Sequence, residues 1–260
     1  MDALLTYDSV EISFGGAAVV RDMSFSLHSG EILGLVGESG SGKSTIIKAA
    51  MGLLGNSGLV TRGDIWFEGK NLPDLPEKEM RRIRGGKIGM IFQDAGASLC
   101  PIRTIGEQIF ESMTAHRQIT KTEAKDAALS LFAKLRFKDG ERIWNSYPFE
   151  LSGGMNQRAG IAISVLMNPS VLFADEPTSA LDVAVQRQVV DELLELRELF
   201  GTAIILVTHD IGVVSAMADS VLVLQQGNKM EYGRARDVLG HPQNSYTRKL
   251  LSAVPKLRRA

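Results

Sequence analysis

The chain of 260 residues is long enough for one large domain with a substantial buried core, or for a core that carries an inserted subdomain. Its 29 lysines and arginines balance 30 aspartates and glutamates, so the formal net charge of −1 argues against nucleic acid or an anionic membrane surface as a partner. The single cysteine, Cys100, excludes an internal disulfide and any metal site built from several cysteines. Residues 1–8 lack the features of a secretory signal, and no apolar run reaches the length of a membrane span, so we expect a chain that folds in the cytoplasm.

The N-terminal part of the chain predicts an antiparallel sheet. Residues 4–14 alternate loosely between apolar and polar side chains, residues 23–27 form a short alternating strand, and residues 63–69 form an edge strand between turns. Phe14 lies at the end of the first strand, where its ring could stack on a purine base. Packing in the core is the commoner role of an isolated aromatic residue, so both interpretations stand at this point.

A glycine-rich loop follows an apolar strand, residues 31–36, and precedes a helix, residues 45–51. The loop sequence GESGSGKST fits the pattern G-x-x-x-x-G-K-[ST] in full. In such a loop the backbone amides converge on phosphate oxygens, the lysine adds charge at the β- and γ-phosphates, and the serine hydroxyl suits Mg²⁺. A simple glycine- and serine-rich turn is the alternative, and Lys43 with Ser44 argues against it. The residues predicted to bind nucleotide here are Gly37, Glu38, Ser39, Gly40, Ser41, Gly42, Lys43, Ser44 and Thr45.

Two adjacent carboxylates, Asp175 and Glu176, end the hydrophobic run that begins at Val171. Beside a phosphate loop, the first would hold Mg²⁺ directly or through water, and the second would polarise the attacking water. Two acids at a strand end are otherwise an ordinary solvated turn. The upstream loop favours the catalytic interpretation, because the metal needs a second anchor that the loop does not supply.

Two other apolar strands also end in polar side chains. Gln93 follows the apolar run 88–92, and His209 follows the run 203–207. In open α/β sheets ligands bind at the carboxyl ends of the strands, so Gln93 could contact Mg²⁺ or the attacking water and His209 could donate to a γ-phosphate. By itself Gln93 is an ordinary strand-end polar group, whereas for His209 a histidine in a turn explains the pattern as well as a phosphate contact does.

Helical periodicity between these strands predicts an inserted helical region over about residues 104–135. Pro148 ends it, and an apolar helix is expected over residues 159–167, with Ser152 and two glycines at its N-terminal end as a second anion-binding helix terminus. Asp182 is positioned to cap a further helix over residues 183–199.

Together these motifs resemble the ATPase subunit of ATP-binding-cassette (ABC) transporters over nearly the whole chain. The decisive stretch is LSGGMNQ, residues 151–157, shortly before Asp175, because this signature distinguishes ABC proteins from other P-loop ATPases. The resemblance implies that Phe14 stacks on adenine, Gln93 is the Q-loop glutamine, Asp182 the D-loop aspartate and His209 the switch histidine. The signature residues, which would act on the ATP of a partner subunit, are Leu151, Ser152, Gly153, Gly154, Met155 and Gln157.

The resemblance implies an α/β fold of the P-loop NTPase type, with a RecA-like parallel sheet, an antiparallel β subdomain and an inserted α-helical subdomain. A single ABC ATPase domain would span residues 1–260. Its nucleotide-binding core and β subdomain would take up residues 1–93 and 169–240, and the helical subdomain with the signature residues 94–168. Residues 241–260 would form a C-terminal tail.

Four stretches resemble the peptide/nickel branch of bacterial importers: residues 98–108, 147–155, 180–186 and, most tellingly, 241–255. Two positions depart from the usual pattern, since Cys100 stands where asparagine is usual and Met155 replaces the commoner glutamine. Many peptide-importing members carry a cysteine-bearing C-terminal extension. The sequence ends at Ala260 without one, which favours the shorter nickel or metal-chelate members as an expectation.

The resemblance also implies a mechanism with ATP and Mg²⁺, in which two ATPase domains meet head to tail and share each ATP. The catalytic residues would be Glu176, His209, Gln93 and Lys43, and the Mg²⁺ ligands would be Ser44, Gln93 and Asp175. The expected partners are a second, homologous ATPase subunit in a heterodimer, two integral membrane permease subunits contacted through residues 94–101, and indirectly a periplasmic or lipid-anchored solute-binding protein. The chain would lie peripherally at the cytoplasmic face of the membrane, without nucleic acid. An exporter ATPase, a soluble non-transport ABC ATPase and a catalytically silent subunit are the alternatives.

Overall fold

The computed structural model describes residues 3–93, 98–179 and 181–253, which form two compact units. The first unit combines the residues up to 80 with those from 203 onward, and the second consists of residues 81–202. The elements of the first unit are β1 (Leu5–Phe14), β2 (Ala17–Leu27), β3 (Ile32–Val36), α1 (Lys43–Ala50), β4 (Gly58–Phe67), β5 (Lys70–Asn71), β8 (Ala203–Val207), α8 (Ile211–Met217), β9 (Ser220–Gln225), β10 (Asn228–Arg234), α9 (Ala235–Gly240) and α10 (Ser245–Ser252).

The second unit carries most of the helices. Its elements are β6 (Ile88–Ile91), α3 (Ile105–Thr114), α4 (Lys121–Lys134), α5 (Gly140–Asn145), α6 (Gly153–Val165), β7 (Val171–Asp175) and α7 (Val183–Phe200). A further helix, α2 (Glu77–Ile83), includes the residues at which the two units divide. Among the described residues, no helix is both long enough and apolar enough to cross a bilayer.

An antiparallel sheet with strand order β2, β1, β4, β5 forms one layer of the first unit and confirms the expected β subdomain. Leu5 of β1 pairs with Leu27 on one side and with Phe67 on the other, so β1 is the central strand. The predicted boundaries were too short, because β2 begins at Ala17 and β4 begins at Gly58, a residue that the sequence places in a loop. Pairing with β1 extends both strands, and such long-range pairing leaves no signal in local propensity.

The other sheet of the first unit has β10, β9, β3 and β8 in that order. Strand β3 pairs in parallel with both β8 and β9, and β10 pairs antiparallel with β9. Every residue of β3 and β8 is buried, as expected for parallel strands covered on both faces. The apolar side chains of β3 and β8 therefore form part of the buried core of this unit.

In the second unit β6 and β7 form a parallel pair, in register from Ile88 with Val171 to Ile91 with Ala174. The predicted helical region over residues 104–135 consists of the two helices α3 and α4. Both α3 and α4 begin with a capping box, made by Thr104 with Glu107 and by Thr120 with Glu123. These boxes are S/T-x-x-E signals in the sequence that mark where each helix begins.

Helix α6 begins at Gly153, six positions before the predicted start, and ends at Val165 rather than Met167. Two consecutive glycines disfavour a helix interior by about 1 kcal/mol each, which is why the prediction placed them before the helix. The Ser152 hydroxyl caps this helix by accepting a hydrogen bond from the Met155 amide. A Cβ at Gly154 would stand 2.9 Å from Val185 Cγ1, so the glycine permits close packing of the helix start against α7.

Candidate functional site

The glycine-rich loop lies between β3 and α1, in the strand, loop and helix order that the motif predicts. Gly40 and Gly42 have φ angles of 77° and 99°, which side-chain-bearing residues rarely adopt. Around Gly40, no heavy atom of the described residues beyond its chain neighbours lies within 4 Å of the point at which a Cβ would stand, so the described part of the chain leaves the loop open on that side. Lys43, Ser44 and Thr45 form the first turn of α1, whose amide end faces the loop.

The polar groups of the loop fit a phosphate chain. The Lys43 ammonium is buried and donates hydrogen bonds to the carbonyl oxygens of Gly37 at 2.8 Å and Glu38 at 2.9 Å. The Ser41 hydroxyl is only 3% exposed, and within the described residues it has no hydrogen-bond partner. A buried hydroxyl without a partner beside a buried cation is a costly arrangement in an isolated protein, and an anion with acceptor oxygens would satisfy both.

His209 follows β8 at the same sheet edge as the glycine-rich loop, because β3 and β8 run parallel and in register from Ile32 with Ile204 to Leu35 with Val207. Its side chain is exposed. The neighbouring residue Asp210 accepts hydrogen bonds from the Gly212 and Val213 amides at the start of α8. This edge of the first unit therefore presents the loop and the histidine together.

Phe14 is half-buried at the end of β1. Its Cε1 atom lies 2.7 Å from the point at which a Cβ of Gly58 would stand, so the ring packs on the bare backbone of the neighbouring strand. Part of the ring serves the packing that the sequence offered as an alternative role. The remaining exposed part is what an adenine ring would cover, and this stacking stays a prediction.

In the second unit, β6 and β7 end at one edge and bring Gln93 and Asp175 to it. The Asp175 side chain is buried, whereas Gln93 is exposed and its carbonyl accepts a hydrogen bond from the Ser179 hydroxyl at 3.4 Å. Glu176 has a φ angle of 49°, a conformation that costs a non-glycine residue of the order of 1–3 kcal/mol. Strain of this kind is found at functional sites, where the surrounding structure holds the backbone in place.

The signature residues surround the start of α6. Ser152 and Gly153 are exposed, and in the described part of the chain no heavy atom outside the neighbouring backbone lies within 4 Å of a Cβ built on Gly153. Leu151 is buried and Met155 half-buried, so the apolar members of the motif anchor the exposed Ser-Gly pair. The open helix terminus has the geometry of an anion-binding end.

Asp182 caps α7 as predicted, since its Oδ1 atom accepts a hydrogen bond from the Val185 amide at 2.9 Å. Its side chain is exposed. The stretch predicted to contact membrane subunits, residues 94–101, lies partly outside the described residues, which resume at Ser98.

Two interactions of this unit escape prediction from sequence. The buried Gln157 amide donates a hydrogen bond to the Pro177 carbonyl oxygen at 2.8 Å, which links α6 to the turn after Glu176. Arg158, the next residue, forms a buried ion pair with Glu192 of α7. The G-G-x-x-Q spacing placed Gln157 in the motif, but its partner lies 20 residues further along the chain.

The Arg158 guanidinium lies 4.1 Å above the Phe137 ring and donates a further hydrogen bond to the Leu135 carbonyl oxygen. Burial raises the pKa of Glu192 to about 7, although the positive charge of Arg158 opposes the shift. The second oxygen of Glu192 is buried without a hydrogen-bond partner in the described structure, consistent with a carboxyl group that retains its proton more readily than usual.

A strand, a glycine-rich loop with a buried lysine, and a helix define a P-loop nucleotide-binding protein, and the LSGG helix terminus defines the ABC class within it. Residues 20–179 match the ABC transporter family, and the chain belongs to this family. It is therefore an ABC-type ATPase, with the P-loop NTPase fold that the sequence predicts.

Two of the similar proteins are named as peptide-transport subunits. The oligopeptide transport ATP-binding protein OppD of Salmonella typhimurium is 44% identical over 260 residues, which cover 98% of this chain and 77% of OppD. The dipeptide transport ATP-binding protein DppD of Lactococcus lactis is 43% identical over 242 residues, which cover 93% of this chain and 69% of DppD.

Two solved structures share the fold. The ATP-binding cassette MJ0796, in a dimeric post-hydrolysis state bound to ADP and Pi, matches with a TM-score of 0.77 and 28% identity over 89% of this chain and 99% of that one. The protein cbiO1 from Clostridium perfringens, part of the ABC transporter complex cbiONQ, matches with a TM-score of 0.80 and 25% identity over 98% of this chain and 97% of that one.

Proposed function

We propose that this chain is the ATP-hydrolysing subunit of a bacterial ABC importer that takes up peptides. The proposal rests on one observation: the chain has both a complete phosphate loop and an exposed Ser-Gly helix terminus. The loop contains a buried cation and a buried hydroxyl that has no hydrogen-bond partner among the described residues. Subunits named for oligopeptide and dipeptide transport are similar to this chain over nearly all of its length.

The first unit supplies the groups that bind ATP. The loop amides and Lys43 hold the β- and γ-phosphates, Phe14 supports the adenine ring, and His209 donates to the γ-phosphate. Catalysis of phosphoryl transfer is mainly positioning and charge stabilisation, so the fixed ammonium and amides are the principal contribution of this unit.

The second unit supplies the acids. Glu176 orients the attacking water and accepts its proton as the water oxygen bonds to the γ-phosphorus; the bond from that phosphorus to the β,γ-bridging oxygen breaks, and ADP leaves. Ser44, Gln93 and Asp175 are the residues that would hold Mg²⁺, in accord with their oxygen atoms, and the ion would neutralise charge on the phosphates. Among these side chains, Asp175 is the buried carboxylate, and a buried carboxylate requires a cation or hydrogen-bond donors.

The exposed signature terminus acts on the ATP of a second subunit. Ser152, Gly153 and Gly154 donate to the γ-phosphate that a partner's loop holds, so that ATP closes the dimer and hydrolysis reopens it. We propose a homologous, nonidentical ATPase subunit as this partner. MJ0796, a similar cassette, has been solved as a dimer.

Two integral membrane permease subunits and a solute-binding protein complete the transporter, and the chain lies peripherally at the cytoplasmic face of the membrane. We propose peptides as the cargo in place of the nickel or metal chelate that the length of the sequence favoured, since the similar proteins OppD and DppD are named for peptide transport.

The test is reconstitution of this chain with the membrane and ATPase subunits encoded beside it in liposomes, together with the neighbouring solute-binding protein. We expect ATP hydrolysis to be stimulated by the binding protein loaded with short peptides, and radiolabelled peptide to accumulate inside. Stimulation by Ni²⁺ or a nickel chelate alone would redirect the assignment to metal uptake. An assembly with no ATP hydrolysis under either condition would refute the proposal.

A further inference from the structure

The C-terminal segment of the first unit forms a hydrogen bond with the phosphate loop. Tyr246, in the first turn of α10, is 7% exposed, and its hydroxyl accepts a hydrogen bond from the Glu38 backbone amide at 3.4 Å. The two residues are 208 positions apart. This tyrosine belongs to the stretch 241–255 that marks the branch of the family, and the proposed chemistry gives that stretch no role.

The Glu38 amide shares a peptide unit with the Gly37 carbonyl. A peptide unit is planar, so the directions of its N–H and C=O bonds are fixed relative to each other. The Gly37 carbonyl oxygen accepts a hydrogen bond from the Lys43 ammonium at 2.8 Å. A hydrogen bond that fixes the Glu38 amide therefore also fixes the Gly37 carbonyl oxygen. This oxygen is one of the two that accept hydrogen bonds from the Lys43 ammonium.

Tyr246 is itself held rigidly. The Asn244 side chain accepts a hydrogen bond from the Tyr246 amide at 2.8 Å and donates one to the Met230 carbonyl at 3.1 Å. Glu231 of β10 accepts hydrogen bonds from the Gln243 and Asn244 amides at 2.8 and 3.2 Å. Burial raises the pKa of Tyr246, so the phenol is neutral at physiological pH and is a fixed hydrogen-bonding group.

We propose that Tyr246 is a positioning residue for ATP binding, which fixes the Gly37–Glu38 peptide plane and through it aims the Lys43 ammonium at the phosphates. The inference rests on the proposed role of Lys43. The proposal also gives residues 241–246 a function, because they hold the Tyr246 hydroxyl against the backbone of the phosphate loop. The nucleotide is contacted by Lys43 and not by the tyrosine.

Tyr246→Phe tests the inference, because it removes only the hydroxyl and keeps the ring that the fold buries. We expect the Kd for ATP and for ADP to rise about threefold to tenfold, a range set by the loss of one hydrogen bond, and the thermal midpoint of the apo protein to fall only slightly. Tyr232→Phe is the matched control. The Tyr232 hydroxyl donates to the Ser26 carbonyl oxygen at 3.1 Å in the same unit, so its removal should leave nucleotide affinity unchanged.

Making Tyr246→Phe in a Lys43→Ala background distinguishes a tyrosine that positions the Lys43 ammonium from one that only supports the phosphate loop. Once no ammonium remains to be aimed, Tyr246→Phe should not weaken the residual affinity, measured by calorimetry at millimolar nucleotide. An equal loss in both backgrounds would mean that the tyrosine only supports the loop, and no loss in either would overturn the inference as well. If Lys43→Ala alone kept native affinity, the proposed site itself would be wrong and the inference would fall with it.

Asn244→Ala provides a second variant with Tyr246 intact. Loss of this cap frees the start of α10, so it should reproduce the weaker ATP binding of Tyr246→Phe in the native background and have no added effect when both changes are combined. Additive losses in the combined variant would contradict a route through Tyr246.

Discussion

The Gln157 side-chain amide donates a hydrogen bond to the Pro177 carbonyl oxygen at 2.8 Å. This bond joins the signature helix α6 to the turn that follows the strained Glu176, within one compact unit. A second amide, from Gln186 of α7, donates to the Thr178 carbonyl at 3.2 Å. The turn after the acidic pair is thus held from two helices, and a displacement of either helix would be felt at Glu176.

Gln157→Leu should uncouple the signature helix from this turn. The Pro177 carbonyl loses a buried donor, so we expect a loss of about 1–3 kcal/mol in the free energy of unfolding. ATP turnover should fall, with the Kd for ATP within about twofold of native. Urea denaturation and steady-state hydrolysis would measure the two effects. Gln186→Leu is the matched comparison and should cost less, because Gln186 is half-exposed. A Gln157 variant with native turnover would show that the bond has no catalytic role.

Glu176→Gln should keep ATP binding and stop hydrolysis. The amide has the same shape but cannot accept a proton, and general-base contributions are about 10²- to 10⁴-fold in rate. We expect the assembled ATPase dimer to accumulate in the presence of ATP, detectable by size-exclusion chromatography with light scattering. Glu198→Gln, at an exposed position of α7, is the control and should hydrolyse ATP normally. Phosphate release at the native rate by the Glu176 variant would exclude this residue as the base.

Phe14→Ala should weaken ATP binding about threefold to tenfold, the size of an aromatic stacking contribution. Because the ring also packs on Gly58, the variant should be destabilised as well, and the two effects need separate measurement. Phe14→Trp should keep the affinity for ATP. Calorimetry with ATP and with inorganic triphosphate distinguishes the roles, since only the nucleotide carries a base to stack. Equal losses for both ligands would assign Phe14 to packing alone.

The buried pair of Arg158 and Glu192 should be sensitive to removal of one partner. Arg158→Met removes the cation that opposes the raised pKa of Glu192, so at pH 8 the buried group must either take up a proton or carry an unpaired charge, and we expect a loss of about 3–5 kcal/mol in the free energy of unfolding. The double variant Arg158→Met with Glu192→Leu should recover most of the lost free energy of unfolding. Arg187→Met breaks an exposed pair with Asp191 on the same helix and should cost less than about 1 kcal/mol. Equal costs for the two arginine variants would contradict the importance of burial.

The raised pKa of Glu192 gives stability a defined pH dependence. The folded protein keeps a proton on Glu192 up to a pKa of about 7, whereas the unfolded chain loses it near 4.5. Between these values the folded state binds more protons, so this group's contribution to stability is greatest below pH 4.5 and falls as the pH rises towards 7.

Glu192→Gln removes the titration. The unfolding free energy of the native protein, relative to this variant, should therefore decrease as the pH rises from 5 through 7 and level off at about pH 8. Denaturation of the native protein and of Glu192→Gln in parallel at each pH measures it. A flat difference between native and Glu192→Gln would place the pKa of Glu192 at its ordinary value.

The start of α6 shows how far local signals reach. The sequence predicts Ser152 as a helix cap, and in the structure its hydroxyl caps α6. The glycines after it argue against a helix, yet α6 begins at Gly153 because the bare backbone of Gly154 packs against Val185 of α7. That contact joins residues 31 positions apart, so no local pattern could reveal it.

The amino-acid sequence by itself determined the phosphate loop, the buried parallel strands and the capped helix starts, because each depends on contacts within a few residues along the chain. The loop needs only its glycines and the lysine that follows them, and a strand such as β3 needs only an unbroken apolar run. Tertiary structure alone decided which distant groups would hold these parts in place. Tyr246 reaches Glu38, Gln157 reaches Pro177 and Arg158 reaches Glu192 only after the chain has folded. These partners are chosen by packing, which sequence separation does not encode.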